Sequence, residues 1–95
     1  MRPVTLTDLA AAARVLLALP KAQRAAGLAA LIARARTADQ HRRDTGRNHP
    51  AYGNGTLLAA ALAHPRAEPQ SPGGVDYLMC LAQVIDALLA RDRTS

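Results

Sequence analysis

Ninety-five residues leave room for one compact domain spanning 1–95 and exclude a multidomain enzyme, since domains usually run to about 100–200 residues. Twenty-two alanines and 14 leucines, against two tyrosines and no phenylalanine or tryptophan, favour helix and exclude an all-β barrel. The formal net charge of +5 calls for an acidic partner, unless the arginine and alanine bias merely reflects a GC-rich genome.

Thr5 followed by Asp8 reads as a capping box, and Leu6, Leu9, Ala10, Ala13, Leu16 and Leu17 recur at helical spacing, so a first helix is predicted over about 6–19. Pro20 ends it or opens the next. A second helix is predicted over about 21–45, stopped by Gly46. Its apolar stripe is Leu28, Leu31 and Ile32; beyond Ala35 the stripe receives Ala38, Asp39 and Arg42, which predicts that its second half leaves the core.

Residues 47–56 are turn-rich, with Pro50 biasing His49 away from helix and Gly53 and Gly55 free to take positive φ. A short third helix is expected over about 56–64, with Leu57, Leu58, Ala61 and Leu62 inward and Pro65 as its stop. Three prolines and two glycines make 65–74 the least ordered internal segment expected, a loop and not a domain boundary. The last helix, about 75–92, has the strongest periodicity, with Leu78, Leu81, Ala82, Ile85, Leu88 and Leu89 predicted to face inward. Val75, Tyr77, Met79, Cys80 and Val84 widen its apolar surface beyond what one neighbour can cover. The fold class is thus all-α, a compact bundle of about four helices. With so few bulky side chains, a lone copy is marginal against about 1.5 kcal/mol of ordering entropy per residue, and oligomerisation is expected to complete the core.

The charge is local. Lys21, Arg24, Arg34, Arg36, Arg42, Arg43 and Arg47 face only Asp39 and Asp44 between residues 21 and 47, which accounts for the whole net charge. These seven cations are the candidate DNA-binding residues. They surround the second helix instead of lining it, which suits weak, non-specific contact with duplex phosphates. An acidic protein partner, or a solvated basic helix with no ligand, fits the same pattern. Two tyrosines provide poorly for stacking single-stranded bases. A helix-turn-helix over 6–36, turning at Pro20 and Lys21, would lack a polar recognition face.

No catalytic constellation stands out, and Asp39 and Asp44 read as solvated charges paired with arginines such as Arg43 and Arg47. His41, His49, His64 and Cys80 lack metal-ligand spacing, so no metal or other cofactor is expected. Cys80 reads as a core thiol. The turn Gly53-Asn54-Gly55-Thr56 could offer helix N–H groups to an anion, but a threonine-capped helix start accounts for it as well. No signal peptide and no span of roughly 18 apolar residues is visible, so no membrane is expected and a cytoplasmic location is the default.

Three strings carry a resemblance: Val4 to Leu17 with Ala-Ala-Ala-Arg-Val-Leu-Leu, His49-Pro-Ala-Tyr-Gly-Asn-Gly-Thr-Leu-Leu-Ala-Ala-Ala-Leu62, and Asp76-Tyr-Leu-Met-Cys-Leu81. They resemble the short proteins encoded beside the large terminase in gene transfer agents and regarded as the small terminase subunit. The resemblance covers nearly the whole chain. It implies a helical, non-catalytic DNA-packaging component that forms a homo-oligomer, contacts double-stranded DNA and recruits the large terminase. The chain lacks room for the separate N-terminal DNA-binding domain of the usual phage small terminase, so sequence-specific recognition is not implied. The alternative is a helical adaptor or regulatory protein that docks on an acidic protein and never meets DNA.

Overall fold

A computed structural model describes residues 1–71 and 73–94, the last three as backbone only. Among them the chain forms four α-helices and no strand: α1 (Leu6–Leu17), α2 (Arg24–Thr45), α3 (Leu57–Leu62) and α4 (Val75–Thr94). The all-α bundle expected from periodicity is what forms.

The helix ends follow local chemistry. Thr5 and Asp8 close the capping box on α1, the Thr5 N–H donating to the Asp8 carboxylate at 2.7 Å and Asp8 N–H to the Thr5 hydroxyl at 3.3 Å. α1 stops at Leu17 and not at 19, because Pro20 disfavours helical backbone in the residue before it. Lys21–Gln23, expected as the start of the second helix, winds instead as a separate 3-10 turn with Gln23 N–H on the Pro20 carbonyl. Gly46, at φ +73°, ends α2 with its N–H on the Arg42 carbonyl. Thr56 caps α3 by accepting Ala59 N–H at 3.1 Å, and that helix is shorter than predicted.

α1 is the central element and packs against α2, α3 and α4, whereas α4 leans chiefly on α1. Successive helical residues lie about 100° apart, so buried Ala11, Ala12 and Ala13 already span about 200° of its surface. A helix enclosed on three sides needs small side chains on most faces, and the alanine run supplies them. Leu6, the first of the residues that recur at helical spacing, projects into solvent ahead of this enclosure. Leu16, Leu28, Leu31, Ile32, Leu57, Cys80 and Val84 complete the core, each large aliphatic burial contributing about 1.5–3 kcal/mol.

Three predicted faces are corrected. The second half of α2 leaves the core later than predicted: Ala35, Ala38 and Asp39 are buried, with Gly55 of the 47–56 loop lying against Asp39, and no residue from 40 to 45 is buried. In α3 the buried residues are Leu57, Ala60 and Ala61, while Leu62 is exposed. On α4 the inward face is Cys80 and Val84, with Tyr77, Leu81 and Leu88 packed beside them; Leu78, Ala82, Ile85 and Leu89 face outward. The helix is apolar nearly all round, so periodicity could not decide which side meets α1. The small Cys80 and Val84 fit closely against an alanine-rich helix, and the leucine side does not. In the connection to α4, Ala67 N–H bonds the Arg14 carbonyl and Gly74 N–H the Ser71 carbonyl; Pro72 lies outside the described residues.

Candidate functional site

The seven cations singled out from the sequence do not form one patch. Arg24 is buried: its Nε donates to the carbonyls of Leu16 (2.8 Å) and Leu19 (3.1 Å), and its two terminal nitrogens grip the Asp76 carboxylate at 2.9 and 3.2 Å. It ties the end of α1 and the first turn of α4 to the start of α2, so it is structural and unavailable to phosphate. The hydrogen bond to Asp76, outweighing burial, raises the Arg24 pKa, and the same bond holds Asp76 below the usual carboxylate range.

The other six are scattered along and around α2, which at about 1.5 Å per residue is about 33 Å long. Lys21 and Arg47 are exposed beyond its two ends. Each step turns a helix by about 100°, so Arg34 and Arg36, two positions apart, lie about 160° apart on opposite flanks. Arg34 lies over the Tyr52 ring, 5.9 Å from its centroid, and against the His64 imidazole. Arg36 stands beside α4. Arg42 and Arg43 both pair with Asp39, at 3.1 and 2.9 Å, and Arg43 keeps most of its side chain in solvent. Among the described residues, Arg2, Arg36 and Arg47 make no side-chain ion pair.

Asp39 is not the solvated charge expected. Its side chain is 2% exposed and receives the Met1 α-ammonium at 3.3 Å as well as the two arginines. Burial pushes its carboxyl up, but Arg42, the α-ammonium and Arg43 outweigh that and hold it below the usual range. Asp39 continues the apolar stripe beyond Ala35, and its burial is compatible with a charge only because these three partners surround it. Asp44, by contrast, is exposed and accepts a hydrogen bond from Gln40 at 2.9 Å.

The anion-binding reading of the Gly53–Thr56 turn loses to the structural one. Asp8 Oδ1 already accepts Leu58 N–H at 2.8 Å, so the carboxylate that caps α1 also supplies the negative charge at the start of α3. Asn54 accepts both the N–H and the hydroxyl of Thr56. Burial raises the Asp8 carboxyl, and the bonds from Thr5 and Leu58 outweigh it, leaving its pKa lowered.

The histidines come together more than their spacing suggested. His49 stacks on Tyr52 at 4.5 Å between centroids and meets His41 edge-on at 5.1 Å. Its Nδ1 accepts the N–H groups of Ala51 and Tyr52, so the ring organises the turn. Burial and the neighbouring Arg34 push the His64 pKa down. Among the described residues no cluster of three His, Cys, Asp or Glu groups is arranged to hold a metal. Cys80 is buried, as expected of a core thiol, and burial pushes its pKa up.

The most conspicuous surface is apolar. Val75, Leu78, Ala82, Ile85 and Leu89 recur on α4 at alternating steps of three and four and form a stripe open to solvent, with Val75 73% and Leu78 51% exposed and Met79 beside them at 59%. A seam with that spacing is how one helix meets another. At its far end, Ile85, Leu88 and Leu89 line an open groove of about 540 Å³ with Val4 and Leu9. No helix is long and apolar enough to cross a membrane among the described residues.

No curated protein and no solved structure matches the chain significantly. Residues 2–88 match the model of DUF7742, a domain of unknown function, and the chain belongs to that family.

Proposed function

We propose that this chain is a non-catalytic, small-terminase-like DNA-packaging component: its copies assemble through α4, touch duplex phosphates weakly, and recruit the large terminase. The observation that carries the reading is the exposed stripe on α4, whose N-terminal part, Val75, Leu78, Met79 and Ala82, is apolar surface that a second copy would cover. Ala82 in its middle allows close approach between helices. The exposed cations at the C-terminal end of α2, Arg43 and Arg47, are the phosphate contacts in this reading, with Lys21 and Arg34 contributing from elsewhere on the surface. The outer face of the first half of α2 is alanine (Ala25, Ala26, Ala29, Ala30), which offers no base-reading groups, so binding is independent of sequence.

Anisotropy with a labelled duplex of about 30 base pairs tests the DNA element. Affinity should fall steeply with salt, and Arg43→Gln with Arg47→Gln should flatten the slope of log K against log[salt] by about 2. Arg42 and the α-ammonium remain to hold Asp39 in that variant. Binding that is absent, or indifferent to salt, favours the alternative, a helical adaptor for an acidic protein.

A further inference from the structure

The groove at the C-terminal end of α4 has a chemistry of its own. Its floor is apolar, from Val4, Leu9, Ile85, Leu88 and Leu89, and its rim carries Arg2, Arg36 and Arg91, with no acidic residue among the described lining. It is open because α4 packs along α1 and leaves α2 across a gap. Two of the rim cations, Arg2 and Arg36, are exposed and have no carboxylate partner among the described residues, unlike Arg24, Arg42 and Arg43. The wall on the Arg2 side is fixed, since Arg2 N–H donates to the Gly55 carbonyl at 3.0 Å.

We infer that this groove is a docking site for a short acidic amphipathic segment of another protein, its apolar side chains on the floor and its carboxylates on Arg2 and Arg36. Charge complementarity selects this occupant: desolvating an apolar floor gives affinity, and Arg2 and Arg36, which have no carboxylate partner among the described residues, call for anionic flanks. Duplex DNA meets the rim but has nothing to place on the floor. The wall from Ile85 to Arg91 is about 9 Å long at helical rise, so the occupant engages over about two helical turns and anchors through one or two large side chains. An arginine fork suits a carboxylate on such a segment. The site is separate from the proposed phosphate contacts and stands whether or not the chain packages DNA.

The test uses a fluorescein-labelled peptide of about 14 residues, with leucines at helical spacing on one face and glutamates elsewhere, and a twin in which lysines replace the glutamates. The full chain should bind the acidic peptide saturably and the lysine twin not at all. Arg2→Glu with Arg36→Glu should weaken binding about ten-fold or more, Leu89→Ser should weaken it as well, and Arg47→Glu, away from the groove, should leave it unchanged. Circular dichroism establishes that the variants remain folded. Absence of saturable binding at millimolar peptide, equal affinity for the lysine twin, or indifference to the Arg2 and Arg36 reversals would overturn the assignment. Displacement of the peptide by laurate at equal concentration would reassign the groove to a small amphiphile. Displacement by duplex DNA would reassign its arginines to phosphate contact, whereas a failure of DNA binding alone leaves the groove intact.

Discussion

Gly55 is where a single methyl group should do the most damage. It sits at φ +91°, and a Cβ there would lie 2.7 Å from the Cα, 2.8 Å from the Cβ and 3.0 Å from the N of Asp39. Two of these obstacles are backbone atoms of α2, which cannot rotate away, and the third belongs to a residue held by three cationic partners. Two costs add in Gly55→Ala. The left-handed conformation costs an L-residue about 1–2 kcal/mol, and forcing the loop off the helix costs about 1–3 kcal/mol more. Reduced freedom of the unfolded chain returns about 0.4–1 kcal/mol. The net is about 3 kcal/mol, which for a chain of this length lowers Tm by about 15 °C.

Gly46→Ala is the control, because Gly46 also has positive φ, +73°, but nothing lies within 4 Å of a Cβ there. It should cost about 1 kcal/mol, about 5 °C. Thermal unfolding followed by circular dichroism, at one protein concentration so that assembly contributes equally, compares the two. Equal losses in both variants would refute the argument that the 47–56 loop is seated on α2 through Gly55.

Asp8→Ala removes caps from two helices at once and should cost about 2 kcal/mol, read as a lower urea midpoint with an unchanged slope. Arg24→Met keeps the aliphatic stem but removes the donor to the Leu19 carbonyl, one of the donors to the Leu16 carbonyl and the partner of Asp76; it should cost about 2 kcal/mol, and Arg24→Lys should not recover it, because an ammonium lacks the fork that spans those carbonyls and Asp76. His64 has a folded pKa below its ordinary 6.5, so the unfolded chain takes up that proton first and stability should decline as pH falls from about 6.5; His64→Gln should remove this decline in urea titrations. Asp8, Asp39 and Asp76 have folded pKa values below their ordinary 3.8, so their contribution is complete above that value and is lost as pH falls beneath it, a second decline that His64→Gln should leave in place.

How legible this was in the sequence depends on which forces decided each feature. Helix boundaries at Thr5, Gly46 and Thr56 are local chemistry, and they lie within a residue or two of where caps and breakers place them. Orientation is not local. α4 offers two apolar faces, and only the shape of α1 selects Cys80 and Val84 over Leu78 and Leu89. The burial of Asp39 depends on a loop more than ten residues away returning through Gly55. The seven cations were identifiable as a group, but their partners were not. Asp76 is 52 residues from Arg24 in sequence, and no spacing rule connects them. Arg2 was outside the basic stretch altogether, and only the fold places it with Arg36 on one groove.

Assembly through α4 is the claim on which the packaging reading stands, and light scattering behind a sizing column tests it directly. The wild-type protein should show a mass several times the 10.0 kDa of one chain, at low and moderate salt, falling toward 10.0 kDa when Leu78→Asp interrupts the exposed stripe. A wild-type protein that elutes at 10.0 kDa in both conditions would contradict it.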